Sequence, residues 1–510
     1  MPFFSSKKQQ LRVAIIGTGF SGICAAIRLE KKLEIKPEIF EMDDDVAGTW
    51  YQNRYPGAEC DIPSHLYSYS FELNPQWPKH YSSRTEIHEY IKDVAKKYGV
   101  FDRVRFKTHI YRADWNHEQY HWKLYWRSKD DPELSGVEFY DAVISGLGGL
   151  RLPNIPPEFE GFKGPIVHTT YWDFNIDYNN KRIAVIGSGA SAIQVVPELQ
   201  KVAKHLYTYQ RSPAWVMYRD QRIYYRAWKF ILRWVPFVMR FYRYYIFLKH
   251  ELYYINFGFY KIFGEWVKRS FVKEMTDRLK RVGREDLIPK LIPDYPVGCK
   301  RVTKSEIYLE SVAQPNVTVI RGGVKGTHDN VVVDMDGNET EVDILVLATG
   351  FITSAMFGNI DIYGKDKMSL MDVWMKEKPK SYKTSTFHGF PNFYMVLGPG
   401  SALGHNTITT IIEGQVEFAV QCIERLVRTK DLVALEPKKS AQEAFFEEIQ
   451  HSLNDTVWKG GCQSWYMDPD GEIYSIWPHT NIGFWWRCTK PNFNDFIQYK
   501  KIEKVNSNNN

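Results

Sequence analysis

Two short glycine-rich stretches constrain this chain more than any other feature. Each ends an apolar run and opens a helix-forming segment. The first is Gly17-Thr18-Gly19-Phe20-Ser21-Gly22, after the run 12–16 and before an Ala- and Ile-rich segment at 23–29. A strand, a glycine loop and a helix in that order form a dinucleotide-binding unit. Gly17 permits the turn, Gly19 lets a pyrophosphate reach the backbone, and Gly22 lets helix and strand pack closely. The helix N-terminus offers free N–H groups and a positive dipole end to phosphate. A second strand at 38–40 ends at Glu41, whose carboxylate is placed to accept hydrogen bonds from ribose hydroxyls.

The pattern returns at 181–186, followed by Gly187-Ser188-Gly189-Ala190-Ser191-Ala192 and then Gln194. Here the next strand, 206–210, ends at Arg211 and Ser212 instead of an acid. An arginine favours a ribose 2′-phosphate, which an acid would repel. The second unit is therefore expected to take NADP, and the pairing of an acid-type with a phosphate-type site suggests a flavin and a nicotinamide. Apolar strands also precede Ala348-Thr349-Gly350-Phe351 and Gly146. The expected fold class is α/β, with two Rossmann-like dinucleotide-binding domains, one inserted in the other. Residues 1–150 and 383–510 form the FAD-binding domain. Residues 151–382 form the NADP-binding domain, with a helical insert at about 220–295.

The chain of 510 residues is long enough for such a pair of domains. Its net charge of +6 suits anionic cofactors, and the basic residues are too dispersed for a nucleic-acid module. The six cysteines include no C-x-x-C pair, so reduced thiols and no metal site are expected. The opening MPFFSSKKQQ lacks a signal-peptide apolar core, the closing VNSNNN is not a peroxisomal tripeptide, and a cytoplasmic location is expected. No apolar run reaches the roughly 18 residues of a spanning helix. Within 222–269, Arg222, Arg226, Lys229, Arg233, Arg240 and Arg243 recur at helical spacings amid Trp, Phe, Ile and Tyr, and Pro236 is expected to kink or split the helix. Two readings stay open for this stretch. Either it packs on its own domain with the basic face solvated, or it makes a peripheral membrane contact.

Between the two loops lie Phe162, Gly164, His168, Trp172 and Asp173. Their spacing resembles F-x-G-x-x-x-H-x-x-x-W-[P/D], the fingerprint of the Baeyer–Villiger monooxygenases. The stretch from Gly48 to Gly57, GTWYQNRYPG, also resembles that family, with Ala47 where it has a further glycine and Glu59 where it commonly has arginine. So do Cys60-Asp61-Ile62, Gly298-Cys299-Lys300-Arg301 and Gly404-His405-Asn406. The resemblance spans the chain from Val13 to about Phe496. It implies FAD and NADPH as cofactors and a small-molecule ketone and O2 as substrates. One oxygen atom is inserted beside the carbonyl through a C4a-peroxyflavin, giving an ester or lactone.

By the same resemblance Arg301 is the fixed cation beside the reacting oxygens, and Asp61 holds it. Thr49, Trp50, Asp61 and Tyr67 join the flavin site. Ser188, Ala190, Ser191, Gln194, Lys300 and Arg301 join the NADP site with Arg211 and Ser212. His168 is expected to organise the interdomain linker and Trp172 to pack. Flavin monooxygenases of nitrogen and sulfur are the alternative; they usually carry Tyr or Phe where this chain has Trp172. A non-catalytic flavoprotein is a third reading, against which Arg301, Asp61 and both loops stand.

Overall fold

The computed structural model describes residues 11–353, 360–468 and 470–501. Two parallel five-stranded sheets dominate it. In the first, the strand order is Phe393–Met395, Ala142–Ser145, Val13–Ile16, Glu38–Phe40 and Val104–Arg105. All four residues of Val13–Ile16 and of Ala142–Ser145 are buried, as continuous apolar strands covered on both faces must be. Helix Phe20–Leu33 covers one face and packs on helix Ile408–Arg428. The other face carries a sheet built from Asp361–Tyr363, Thr108–Asn116, His121–Ser128 and Ser135–Tyr140.

The second parallel sheet runs Val317–Arg321, His205–Gln210, Arg182–Ile186, Ile344–Leu347 and Ile166–His168, with helix Ala190–Val202 after its glycine loop. All its strands fall between 166 and 347, whereas the first sheet takes strands from both sides of that range. The second unit is thus inserted in the first, as expected of an α/β chain with two interleaved Rossmann-like units. Asp361–Tyr363 already pairs with Thr108–Asn116, so the chain is back against the first unit well before 383.

Helices Arg226–Trp234, Val238–Leu252 and Tyr260–Arg281 form the body of the insert. Pro236 lies between the first two, which are separate helices. The break also ends the expected basic stripe. Arg243 turns inward and donates to the carbonyls of His65 and Leu66 at 2.8 and 2.9 Å. At the far end of the same helix, buried Glu251 accepts from Asn406 Nδ2 at 2.7 Å and from the Asn481 N–H at 3.1 Å. The insert is therefore pinned to the first unit as well as to its own.

The expectation of reduced thiols fails at two positions. Cys299 and Cys462 form a disulfide, with Cα atoms 6.2 Å apart and a sequence separation of 163. No local spacing announces a bridge of that span. Cys24, Cys60, Cys422 and Cys488 are buried free thiols.

Ala47 carries a conformational cost. Its φ is +90°, and it is 1% exposed, with its N–H on the Thr18 carbonyl at 3.0 Å. Only glycine takes this region without strain. Replacing Ala47 with Gly is expected to stabilise the protein by about 1 kcal/mol, read as a higher urea midpoint. A lower midpoint would show that the buried methyl outweighs the backbone strain.

Candidate active site

One cavity of about 1120 Å³ runs between the two sheets. Its wall includes Gly17, Gly19, Glu41, Thr49, Trp50, Asp61 and Tyr67 from the first unit. From the second come Gly187, Ser188, Gly189, Ala190, Ser191, Gln194, Arg211, Ser212, Lys300 and Arg301. The structure thus gathers residues that lie up to 284 positions apart, from Gly17 to Arg301, around one space.

The loops have the shape a dinucleotide requires. A Cβ on Gly22 would lie 1.9 Å from the Gly17 carbonyl oxygen, so only glycine lets helix and strand come this close. A Cβ on Gly19 or Gly189 would meet nothing within 4 Å, which leaves open backbone at the start of each helix. Glu41 accepts from the Thr18 N–H at 2.8 Å, the Thr18 hydroxyl at 2.7 Å and the Asp43 N–H at 3.0 Å. Two carboxylate oxygens can accept about four hydrogen bonds, so capacity remains for a ligand hydroxyl. Burial pushes the Glu41 carboxyl up, while these hydrogen bonds pull it down. At the same end His109, missed in the sequence, lines the cavity with a buried Nε2 that has no partner in the protein. Both loops therefore fit a bound dinucleotide.

In the second unit the Ser188 hydroxyl donates to the Ser212 carbonyl at 2.5 Å, tying the loop to the end of its neighbouring strand. The Lys300 ammonium sits 4.8 Å from the Tyr295 ring centre. Burial, then the nearby charge of Arg211, lowers the pKa of Lys300. Two cations that disfavour each other in a cavity wall make a site for a dianion such as a phosphate.

The segment 55–61 joins the two units. The Tyr55 hydroxyl donates to Gln194 Oε1 at 2.7 Å, and Gln194 Nε2 donates to the Glu59 carbonyl at 2.8 Å. At its end Asp61 takes Arg301 in a two-pronged pair, Nε to Oδ2 at 2.9 Å and Nη2 to Oδ1 at 2.7 Å. Lys304, also missed in the sequence, donates to the Asp61 carbonyl at 3.0 Å and lines the same wall. Burial pushes the Asp61 carboxyl up, but the charges of Arg301 and Lys304 outweigh it and hold it below the usual range. The Asp61 charge in turn raises the pKa of Arg301. The Arg301 side chain is 37% exposed, and its open surface looks into the cavity. It is a cation with spare donors, fixed by its counter-ion.

Glu59, the departure from the resemblance, adds no free charge. It pairs with Lys79 and Arg219, and Arg219 also binds Glu306 at 2.6 Å.

The five spaced residues between the loops lie outside the cavity wall. His168 Nδ1 accepts from the Thr170 N–H at 3.2 Å, so its proton sits on Nε2 and is donated to the Gly350 carbonyl at 3.1 Å. Burial keeps the imidazole neutral by lowering its pKa. His168 thus fastens a strand end to the Ala348-Thr349-Gly350 turn, where Asn154 of the incoming linker also bonds Gly350. Trp172 stacks on Tyr178 at 4.8 Å, and Asp173 caps the Asn175 N–H at 2.8 Å. Phe162 packs in the second unit's core, and a Cβ on Gly164 would lie 2.8 Å from its ring.

Residues 10–252 match the model of the flavin-binding monooxygenase-like family. The chain is 37% identical to a Baeyer–Villiger monooxygenase of Pseudomonas aeruginosa, over 93% of its own length and 88% of that protein's. It is 33% identical to the FAD-binding monooxygenase ktnD of Aspergillus niger, over 95% and 81%. Its fold matches the crystal structure of OTEMO complexed with FAD and NADP at a TM-score of 0.83 and 24% identity, covering 97% of this chain and all of that one.

Replacing Asp61 with Asn leaves Arg301 and Lys304 without a counter-ion. The loss is expected to be about 1–3 kcal/mol in urea unfolding, below the value for a fully enclosed pair because Arg301 reaches the cavity. Because the folded carboxyl lies below its unfolded value, the pair's stabilisation is present above that unfolded value, about pH 3.9, and is lost as pH falls through the folded one. An unchanged midpoint would contradict a structural coupling between the two units here.

Proposed function

The chain belongs to the Baeyer–Villiger monooxygenase family, and from that premise we propose how its own residues carry the reaction. It is an FAD-dependent enzyme that uses NADPH and O2 to insert one oxygen atom beside a ketone carbonyl. The balance is ketone, O2, NADPH and a proton to ester or lactone, water and NADP⁺. The observation that carries the assignment of roles is the single cavity that joins both glycine loops with the Asp61–Arg301 pair in its wall.

When bound, the flavin supplies oxygen activation and the nicotinamide supplies the two electrons. The first loop, with Glu41, holds the flavin dinucleotide, and Thr49, Trp50 and Tyr67 border the same space. Trp50 Nε1 donates to the Tyr67 hydroxyl at 3.1 Å, which fixes both rings. The second loop holds the NADP pyrophosphate, with Arg211, Ser212 and Lys300 at the 2′-phosphate. Arg301 stands where negative charge develops on the oxygens at the ketone carbon. Its guanidinium remains protonated at any working pH and needs no reorganisation there. Asp61 is a positioning residue that aims it. His168 and Gly350 hold the linker on which the two units adjust between binding and reaction.

The substrate is a small-molecule ketone. No described helix is long and apolar enough to cross a membrane. A peripheral lipid contact through 222–269 belongs to the proposal, because it would bring lipophilic ketones to the enzyme.

The purified flavoprotein, given NADPH and O2, is expected to turn some members of a ketone panel into esters or lactones. Sulfoxides from a sulfide panel with no ester from any ketone would assign it to the alternative chemistry. Arg301→Ala is expected to lower ester formation by roughly 10²–10³-fold while NADPH is still consumed and hydrogen peroxide accumulates. Wild-type ester yield from that variant would remove Arg301 from the reaction.

Lys300, with its lowered pKa, loses its charge at a lower pH than an ordinary lysine. NADPH affinity should therefore weaken on the alkaline side below pH 10.5, and Lys300→Arg should flatten that limb. Titrations of NADPH binding at several pH values test this; an identical limb in Lys300→Arg would contradict it.

A further inference from the structure

Helix Val238–Leu252 is apolar on two opposite faces. Its inner face, with Tyr242, Ile246 and Phe247, packs into the first unit's core. Its outer face carries Phe241, Tyr244, Tyr245, Leu248 and Leu252 at spacings of three and four, each at least 54% exposed. A helix whose buried face already packs into the protein has no need of a second apolar stripe unless that stripe meets another surface. This one has protein on one side only. The outer stripe has counterparts on both flanking segments. Phe230 and Trp234 on the preceding helix are each 62% exposed, Phe237 in the turn 70%, and Ile262 and Trp266 on the following helix 71%. Isolated exposed apolar residues need no explanation, but five on one stripe of one helix mark a contact surface.

Charge says what kind of contact. Residues 222–269 hold ten Lys and Arg against two Glu, and one of those two, Glu251, is buried. Arg226, Lys229 and Arg233 run along one flank of the Phe230–Trp234 stripe at spacings of three and four. Arg240 and Lys249 lie on opposite edges of the stripe of Val238–Leu252, both exposed. Long basic side chains beside an aromatic stripe can reach up to phosphates while the rings sit at the headgroup level. A second copy of this chain brought face to face would oppose cation to cation.

We propose that this helical hairpin docks on an anionic lipid bilayer, with the 241–252 stripe at the boundary of headgroups and acyl chains and the arginines on lipid phosphates. The inference rests on the reading of 222–269 as a lipid contact and names its face, its orientation and the charge of its lipid. It does not depend on the oxygenase chemistry. The inner side of helix Val238–Leu252 reaches the cavity wall. Glu251, on the same helix, is bonded to Asn406, and Asn406 lines the cavity wall.

The test is flotation of the full-length flavoprotein with phosphatidylcholine vesicles, with and without phosphatidylserine. Turnover of a water-soluble ketone is measured in parallel without vesicles, so that failure of the chemistry and failure of docking are separate results. Binding to the phosphatidylserine vesicles is expected at low salt, weakening as salt rises past about 0.1 M. The variant Arg226→Glu/Arg233→Glu/Arg240→Glu and the variant Trp234→Ser/Phe241→Ser/Leu248→Ser should each bind on the order of tenfold more weakly or worse. Both should keep ketone turnover, since every altered side chain is exposed. No flotation at low salt would overturn the proposal. So would equal binding to neutral vesicles that the charge reversals leave intact. A dimer in light scattering that the apolar variant splits would also overturn it, because the face would then belong to a second copy.

Discussion

The pair between Asp61 and Arg301 sets the terms for the rest of the site. One partner ends the segment 55–61 of the first unit, and the other follows the insert of the second. Their two-pronged geometry ties the two units together in the cavity wall. Tyr55, Gln194 and the Glu59 carbonyl carry the same seam up to the second glycine loop. Without this seam each loop would be a separate nucleotide site. With it, the two open onto one space. Nicotinamide, flavin and ketone could then meet around a cation that is already in place.

The charges of the wall follow from that constraint. Arg301 pairs with the Asp61 carboxylate while Lys304 holds the Asp61 backbone carbonyl, so two cations face one carboxylate and the neighbourhood keeps a net positive charge. Lys300 and Arg211 add a second basic pocket at the other nucleotide loop. Glu59 enters the same wall but is neutralised by Lys79 and Arg219. A positive, partly enclosed cavity draws in anionic cofactors and favours oxyanions that form within it. The disulfide between Cys299 and Cys462 clips the loop after 460 to the residue next to Lys300 and Arg301. It limits how far that basic segment can drift from its counter-ions.

Much of this was legible in the chain, and the failures have a common cause. Apolar runs ending in glycine specify strand, turn and helix within about 20 residues, so both loops, Glu41 and Arg211 could be read directly. The interleaving was visible because the strands ahead of Gly146 and Gly350 are as apolar as those ahead of the loops. Other features depend on partners brought together only by the fold. Lys304 shows no periodic relation to Asp61, yet they meet across 243 positions. Cys299 finds Cys462 in the same way. Arg243 reads as one more member of a basic stripe until Pro236 divides the helix and the second half turns that position inward. The fingerprint residues were conspicuous for their spacing; His168 bonds the Gly350 carbonyl and Trp172 stacks on Tyr178, both away from the cavity wall.

The most direct test of the account is the fate of molecular oxygen. The wild-type flavoprotein would be run with NADPH and an accepted ketone under ¹⁸O₂, and the ester examined by mass spectrometry. One ¹⁸O atom in the ester, located in the new carbon–oxygen–carbon link and not in the carbonyl, is the predicted result. An ester without label, or NADPH oxidised with all the oxygen recovered as hydrogen peroxide, would contradict a cavity built to transfer oxygen beside Arg301.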